Sequence, residues 1–232
     1  MVTVTEEALS ELPEPVRRSL QRSALVGRPV PGAVTVLQDG RIRSSAEAKW
    51  LRFKARETYT IDPPGFTWRA ALKIGGVTAG RATDTLAAGR GRMHVRLLGL
   101  KDIIDATGPE MDQGSAMRWL NETMWFPAVW ATDVIRWQPI DDDSAIGSTT
   151  VGEQAVEAEF QFDPEGRLID FRADRHRAID DGFEVRPWRT PITEHANFNG
   201  IRLPARGSGV WELDDGDFEY IQIRVTDVRY GT

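Results

Sequence analysis

The feature that most constrains the fold is a repeated alternation of apolar and polar residues, broken by short turn sequences. KARETYTI and FTWRAALKI flank the turn DPPG, and RATDTL and RMHVRLLGL flank the loop AAGRG. The later segments IRWQPI, AIGSTTV, AVEAEFQF and LIDFRADRH are separated by IDDDS, GE and DPEG. A period of two, bounded by Gly, Pro and Asp, is typical of antiparallel strands joined by hairpin turns, and it predicts about ten strands here.

Two segments have helical spacing instead. LPEPVRRSLQRSAL, residues 12–25, places three aliphatic side chains on roughly one face. DQGSAMRWLNETMWFPAVW, residues 112–130, predicts a second helix with Asp112 or Ser115 as its N-cap. Pro127 is expected to end or kink this helix, because proline cannot donate a helical hydrogen bond.

Two shorter patterns give local predictions. The dipeptide Asp39-Gly40 within AVTVLQDGRIR predicts a hairpin turn between two strand arms. The segment LKDIIDA predicts a short helix or a turn.

These elements predict an α+β fold, in which a strongly curved antiparallel β-sheet (half-barrel or barrel) wraps around a central helix. A sheet of so many twisted strands curls or closes, and a helix must cover the open apolar face. No internal repeat or linker divides the sequence, so residues 1–232 are predicted to form a single domain. Residues 1–30 form an N-terminal helical segment in this prediction, and residues 31–232 form the curved sheet with the central helix at 113–130.

Composition excludes several classes of function. A net charge of -6 argues against a nucleic-acid-binding protein, which usually carries a basic face. The absence of cysteine excludes disulfides, thiol nucleophiles and Cys-based metal sites. His94, His176 and His195 match no specific metal-ligand spacing, and no cofactor motif is present. We therefore predict neither a metal nor a cofactor.

The N-terminal sequence gives an expectation about location. MVTVTEEALSELPEPV has two early glutamates, no basic region and no apolar run, unlike a secretory signal. No segment is apolar over the roughly eighteen residues that a membrane span needs. The expected location is the cytoplasm.

The stretch RWLNETMWFPAVW, residues 118–130, places polar residues inside a very apolar helix. Helical geometry puts Arg118, Asn121 and Glu122 in one sector beside Trp125. Arg118 and Glu122 are spaced for an i,i+4 ion pair, which is either solvated at the surface or directed into a cavity of the sheet. In the second arrangement, burial would raise the pKa of the Glu122 carboxyl, whereas Arg118 would lower it or bind an anionic ligand group.

Several segments resemble those of a known family. DPPGFTWRA, GRGRMHVRLLGL and RWLNETMWFPAVW followed by IRWQPI are similar to a family of uncharacterised bacterial proteins known as a domain of unknown function. The resemblance extends from about residue 13 over most of the chain, and Glu122 to Ala128 is its most specific part. The expected fold is also similar to that of the periplasmic lipoprotein carriers, a curved half-barrel with helices on its concave side. That similarity implies an apolar ligand between sheet and helix.

The first functional hypothesis is that the protein binds an apolar small molecule that is lipid-like, a polyketide or a terpenoid. The ligand would lie in a cavity between the curved sheet and the central helix. Apolar contacts are predicted from Trp125, Trp130, Met124 and Trp68, because large aromatic side chains dominate the walls of such cavities.

The second hypothesis is an enzyme that uses the same cavity. It would be a cofactor-free cyclase, isomerase or hydrolase, with Glu122 as general acid or base. Arg118 or Asn121 would stabilise developing charge. A third hypothesis is an interaction module, for which exposed aromatic side chains would mark a protein interface.

Overall fold

The computed structural model describes residues 2–98, 101–180 and 182–231, which are mostly in β-strands. In this part of the chain there are fourteen strands, so the predicted number of about ten is too low. The strands are β1 Ala33–Ile42, β2 Leu51–Thr60, β3 Gly65–Ile74, β4 Val77–Ala87, β5 Arg90–Leu97, β6 Lys101–Ala106, β7 Arg136–Pro139, β8 Ser144–Val151, β9 Gln154–Phe162, β10 Leu168–Ile179, β11 Gly182–Arg189, β12 Ile192–Phe198, β13 Ile201–Leu213 and β14 Gly216–Gly231. The α-helices are α1 Glu6–Ser10, α2 Glu14–Arg22 and α3 Pro109–Glu122, and two 3-10 turns follow at Thr123–Trp125 and Pro127–Ala131.

All fourteen strands belong to one antiparallel sheet. From edge to edge the order is β6, β5, β4, β3, β2, β1, β14, β13, β11, β10, β9, β8 and β7. Strand β12 pairs with the N-terminal half of β13, while β11 pairs with the same strand near Trp211. The pairing of β1 with β14 joins a first meander, β1 to β6, to a second group of strands, β7 to β14, in one continuous sheet.

The sheet curls around α3, which confirms the predicted curved sheet with a central helix. The helix packs against β4 and β5 near one edge of the sheet and against β8, β9 and β10 near the other. The β4–β5 hairpin turn and the β8–β9 hairpin turn also contact each other directly. A Cβ added at Gly89 would lie 2.7 Å from the Cα of Gly152, so only glycines allow this contact.

Strand alternation decides which side chains face the concave side. In β2, Phe53, Ala55 and Tyr59 are buried, whereas the intervening Lys54 and Arg56 are exposed. This is the pattern of a sheet with one face on the core and one in solvent. The aromatic residues between α3 and the sheet form most of that core.

Two local predictions are wrong. Asp39 and Gly40 lie inside β1 and do not form a hairpin turn. Glycine is needed there for a different reason, because a Cβ at Gly40 would lie 2.0 Å from the backbone oxygen of Gln222 in β14. The segment LKDIIDA falls largely in strand β6, which pairs with β5, and its first residue, Leu100, lies outside the described residues.

The central helix begins and ends earlier than predicted. Pro109 occupies its first turn, where a missing N–H costs nothing. The α-helix ends at Glu122 and continues as a 3-10 turn over Thr123–Trp125. Pro127 disfavours helical geometry at the preceding residue, and Phe126 has φ -139° and ψ 54°. The N-terminal helix is also shorter than residues 12–25, and α1 precedes it. In the described residues, no helix is both long and apolar enough to cross a membrane.

Candidate ligand-binding site

The position of α3 is fixed by its contact with β5. Gly91 has no side chain, and a Cβ there would lie 2.4 Å from the backbone oxygen of Met111. The prediction of Asp112 or Ser115 as the N-cap is wrong, because Gly108 is the N-cap of α3. The Asp112 carboxylate instead accepts hydrogen bonds from the Gly91 amide at 2.7 Å and from Arg90 at 2.9 Å. These bonds hold the helix across the concave face of the sheet, and Arg118 lies one to two turns further along.

Arg118 lies at the centre of a buried ionic cluster. Its guanidinium donates to Glu122 at 2.7 Å, to Glu57 of β2 at 2.7 Å and to Asp84 of β4 at 2.6 Å. The i,i+4 pair with Glu122 therefore forms as predicted, but it is buried, with a Glu122 side chain only 7% exposed. Three carboxylates around one guanidinium would leave two uncompensated negative charges if all were ionised.

A second set of hydrogen bonds holds the carboxylates in place. The Tyr59 hydroxyl donates to Glu122 at 3.0 Å, and the Gln38 side-chain amide donates to Glu57 at 3.1 Å. The indole of Trp68 donates to the Gln38 carbonyl at 3.1 Å. Both oxygens of Glu122 are thus occupied. Asp84 Oδ1, by contrast, is buried without a partner among the described residues.

Burial dominates the electrostatics of this cluster. It raises the pKa of Glu57 well above its ordinary value and also raises the pKa of Asp84, although the positive charge of Arg118 opposes both shifts. Burial would lower the pKa of Arg118, but the surrounding carboxylates outweigh it and raise that pKa well above its ordinary value. The guanidinium therefore stays charged, and the cluster favours a neutral carboxyl.

A cavity of about 340 Å³ opens beside this cluster, between α3 and the concave face of the sheet. Arg118, Asp84 and Glu122 form part of one wall. Most of the remaining wall is apolar or aromatic. It includes Ile42, Trp68, Met93, Ile104, Met111, Met124, Trp125, Phe183, Trp188, Trp211, Tyr220, Ile221, Ile223 and Val225.

The structure brings together six of the seven side chains that were predicted to form the site. Arg118, Asn121, Glu122, Trp68, Met124 and Trp125 all line the cavity. Asn121 donates to the Thr190 hydroxyl at 2.7 Å, which orients its amide at the cavity wall. Their proposed roles in catalysis and ligand binding stay predictions.

Trp130 lies elsewhere. Its ring packs edge-on against Trp137 and Phe160, with centroids 5.7 and 5.6 Å away, and its Nε1 donates to Thr123 at 2.8 Å. The chain turns after Pro127, so Trp130 points away from the cavity lined by Trp125. Its location is that of a core residue.

Four residues of the site were missed in the sequence. Glu57, Asp84, Tyr59 and Gln38 are absent from the residues that were predicted for the site from the sequence. A signal was present, because Glu57 shares the strand phase of Phe53 and Tyr59. Charged residues in the buried phase of a strand need a buried partner, and Arg118 is that partner.

The histidines are not gathered in this site. His176 lines the cavity, His94 contacts Asp102 at 2.9 Å on the outer part of β5, and His195 lies in a separate surface crevice. The described residues contain no group of three or more His, Cys, Asp or Glu side chains arranged to hold a metal ion.

Comparison with solved structures supports the architecture. A DUF1329 family protein from Desulfovibrio piger ATCC 29098 is similar over 99% of this chain and 94% of its own, with a TM-score of 0.52 and 9% identity. A LolA superfamily protein from Nitrosomonas europaea is similar over 99% of this chain and 95% of its own, with a TM-score of 0.48 and 10% identity. The first similarity confirms the half-barrel fold.

Comparison at the level of sequence gives the family. No curated protein matches the chain. A family model described as a family of unknown function, DUF6544, matches residues 2–223. The match covers nearly the whole chain, and the protein therefore belongs to the DUF6544 family.

Proposed function

We propose that the protein binds an apolar small molecule in the cavity between the curved sheet and α3. The observation that carries this proposal is the cavity itself, whose walls are mainly aromatic and aliphatic with a few polar groups at one side. Such walls bind through apolar contact, while a small number of fixed polar groups orient the ligand. Arg118 and Asn121 are held by hydrogen bonds and supply that orientation.

The size of the cavity limits the ligand. A volume of about 340 Å³ lies at the lower end of the range of roughly 300–1,000 Å³ for small-molecule sites. A single acyl chain or a compact polyketide or terpenoid suits this volume, whereas a lipid with two long chains does not. The ligand class is therefore a single-chain lipid-like molecule or a molecule of similar size.

Native mass spectrometry of the purified protein, before and after denaturation, is the first test. We expect an extra mass that leaves on denaturation, or binding of one equivalent of the neutral fluorescent probe N-phenyl-1-naphthylamine. The edge strand β6 provides matched variants, because Ile104 lines the cavity while its neighbour Ile103 does not, although both are exposed. Ile104→Asp should weaken probe binding by about tenfold, since burial of an Ile side chain contributes about 1.5–3 kcal/mol.

Ile103→Asp is the control and should bind the probe as the wild type does. Equal affinities of the wild type and both variants would place the bound probe outside this cavity. A protein with no extra mass and no probe binding would refute the proposal.

The enzyme hypothesis has one observation in its favour. Asp84, whose pKa is raised by burial, lies at the cavity wall with Glu122, and both carboxyls contact Arg118. A buried carboxyl with a raised pKa keeps its proton to a higher pH than an exposed one and can serve as a proton donor. In this alternative, Glu122 acts as general acid or base on the bound molecule, and Arg118 and Asn121 stabilise developing charge.

The two functions differ in what Glu122→Gln does. The bound molecule would be extracted from the wild type and from Glu122→Gln, each purified from the same host, and identified by mass and NMR. A binding protein yields the same molecule from both. An enzyme yields a different, unconverted molecule from the variant, and identical molecules would count against catalysis by Glu122.

A further inference from the structure

The three arginines that line the cavity in the described part of the chain differ in their partners. Arg118 contacts three carboxylates, and Arg206 pairs with Glu194 at 2.6 Å. Arg175 of β10 has no carboxylate within 4 Å among the described residues. Its charge acts on Asp84 from beyond that distance, and Arg118 bonds to Oδ2 of that carboxylate. Arg175 is therefore the arginine of the cavity wall that can still form an ion pair with a bound anion.

Unpaired polar atoms concentrate at the same cavity. Among the described residues, six buried side-chain nitrogen or oxygen atoms lack a hydrogen-bond partner. Three of them, Arg175 Nε, Trp188 Nε1 and Asp84 Oδ1, belong to residues of the cavity wall. Buried polar atoms are normally paired, so such a concentration is typical of a site completed by another molecule. Two of the three atoms are donors, which favours an acceptor on that molecule.

Arg175 is held in a fixed position without an ion pair. Its guanidinium lies over the rings of Trp188 and Trp211, 4.7 and 5.8 Å from their centroids. Gln113 of α3 contacts the backbone on both sides of it, donating to the Asp174 carbonyl at 3.2 Å and accepting from the His176 amide at 3.5 Å. A cation fixed in this way loses little conformational entropy when it binds an anion.

We propose that the cavity takes an apolar molecule bearing one anionic group, a carboxylate or a phosphate, and that Arg175 binds this group. This inference rests on the proposed function and specifies its ligand. The planar guanidinium suits carboxylate and phosphate oxygens, which accept two parallel hydrogen bonds from it. The Trp188 Nε1–H is a further donor in the same wall.

The surface next to Arg175 suits the apolar part of such a molecule. Trp211 continues from the guanidinium toward β14, where Ile221, Ile223 and Val225 line the cavity. Gly207 and Gly209 of β13 pair with Ile223 and Ile221, and all four residues line the cavity. A chain anchored at Arg175 can therefore extend along the inner face of β13 and β14.

The test is displacement of N-phenyl-1-naphthylamine by dodecanoate, dodecyl phosphate and dodecanol, which share one alkyl chain. In the wild type we expect an anion to displace the probe at a concentration about tenfold below that of dodecanol, since a hydrogen bond to a charged group has that effect or a larger one. Arg175→Gln should abolish this preference, because the anions then lose the guanidinium that distinguishes them from dodecanol. Arg206→Gln is the matched control, because Arg206 lines the same cavity but is already paired.

Each outcome separates the two proposals. The anion site is refuted, and the apolar cavity stands, if the probe and dodecanol bind but the anions displace the probe no better than dodecanol does. The same conclusion holds if Arg175→Gln still binds the anions more tightly than dodecanol. If neither the probe nor any of the three compounds binds, the proposed function fails as well. The better of dodecanoate and dodecyl phosphate identifies the anionic group, and circular dichroism confirms that each variant is folded.

Discussion

Arg118→Met tests the buried cluster most directly. The substitution keeps the size of the side chain but removes the one cation that contacts Glu57, Asp84 and Glu122 at 2.6–2.7 Å. Breaking a buried ion pair from one side costs about 3–5 kcal/mol, because a buried charge is left uncompensated. This loss in free energy of unfolding comes mainly from leaving the carboxylates without a cation, and less from any single hydrogen bond.

Protonation sets the size of this effect. Without the guanidinium, at least one carboxyl must take up a proton to remain buried. For a Glu with an ordinary pKa of 4.5 this costs about 3.4 kcal/mol at pH 7 but only about 0.7 kcal/mol at pH 5. The loss of stability should therefore be largest at high pH and small near pH 5. At pH 7 it corresponds to a lowering of Tm by about 6–20 °C for a chain of this length.

The sign follows from the direction of the pKa shifts. The pKa of Glu57 and Asp84 is raised by burial in the folded protein, so the stability that these carboxyls contribute is full below their unfolded values of 4.5 and 3.8. It is lost as the pH rises through the raised folded values. Removing Arg118 raises both values further, which steepens the loss of stability with rising pH.

Urea denaturation followed by far-UV circular dichroism at pH 5, 7 and 8 measures the effect. Arg56→Met is the control, because Arg56 is exposed on the outer face of β2, and its stability should change by less than about 0.5 kcal/mol. Adding Glu57→Gln to Arg118→Met should recover part of the stability at pH 8. A loss below about 1 kcal/mol at pH 7, or an equal loss at pH 5 and pH 8, would refute the buried cluster.

Three further substitutions test other parts of the structure. Gly91→Ala should destabilise the protein by about 1–3 kcal/mol, because its Cβ would lie 2.4 Å from the Met111 oxygen. An unchanged urea midpoint would contradict this contact between α3 and β5. Trp130→Ala should lower the free energy of unfolding by about 3–5 kcal/mol. Probe binding by the folded variant should be unchanged, since Trp130 lies outside the cavity. Weaker probe binding would place the Trp130 ring in the cavity wall. Tyr59→Phe removes the donor to Glu122 and should cost about 1.5–3 kcal/mol in thermal unfolding, a loss that a wild-type Tm would disprove.

The alternation of side chains predicted the fold class, because a period of two over many short segments suits little except an antiparallel sheet. It also contained part of the site. Ala82, Asp84 and Leu86 share one phase of β4, and all three are buried. Asp84 could have been placed on the concave side if the register of β4 had been known, since a shift of one residue moves every side chain to the other face.

The partners of Arg118 could not be read from local patterns. Asp84 and Glu57 lie 34 and 61 residues away in the sequence and belong to different strands. Their proximity depends on the curvature of the sheet and on the close contact at Gly91. The environment of Arg175 is non-local too, because it requires β10 to meet both α3 and β13. Periodicity describes one strand at a time, and these sites arise between strands.

The pairing of β1 with β14 has a consequence for how the protein folds. It joins Ala33 to Gly231, so the two strands meet only after all of the residues between them have been synthesised. Each meander contains mainly pairings between sequence neighbours, which form early because they close short loops. The wall that contains Ile221 and Ile223 therefore forms after the first meander. Until then, we expect the first meander and α3 to expose an apolar face to solvent, and exposed apolar faces favour aggregation.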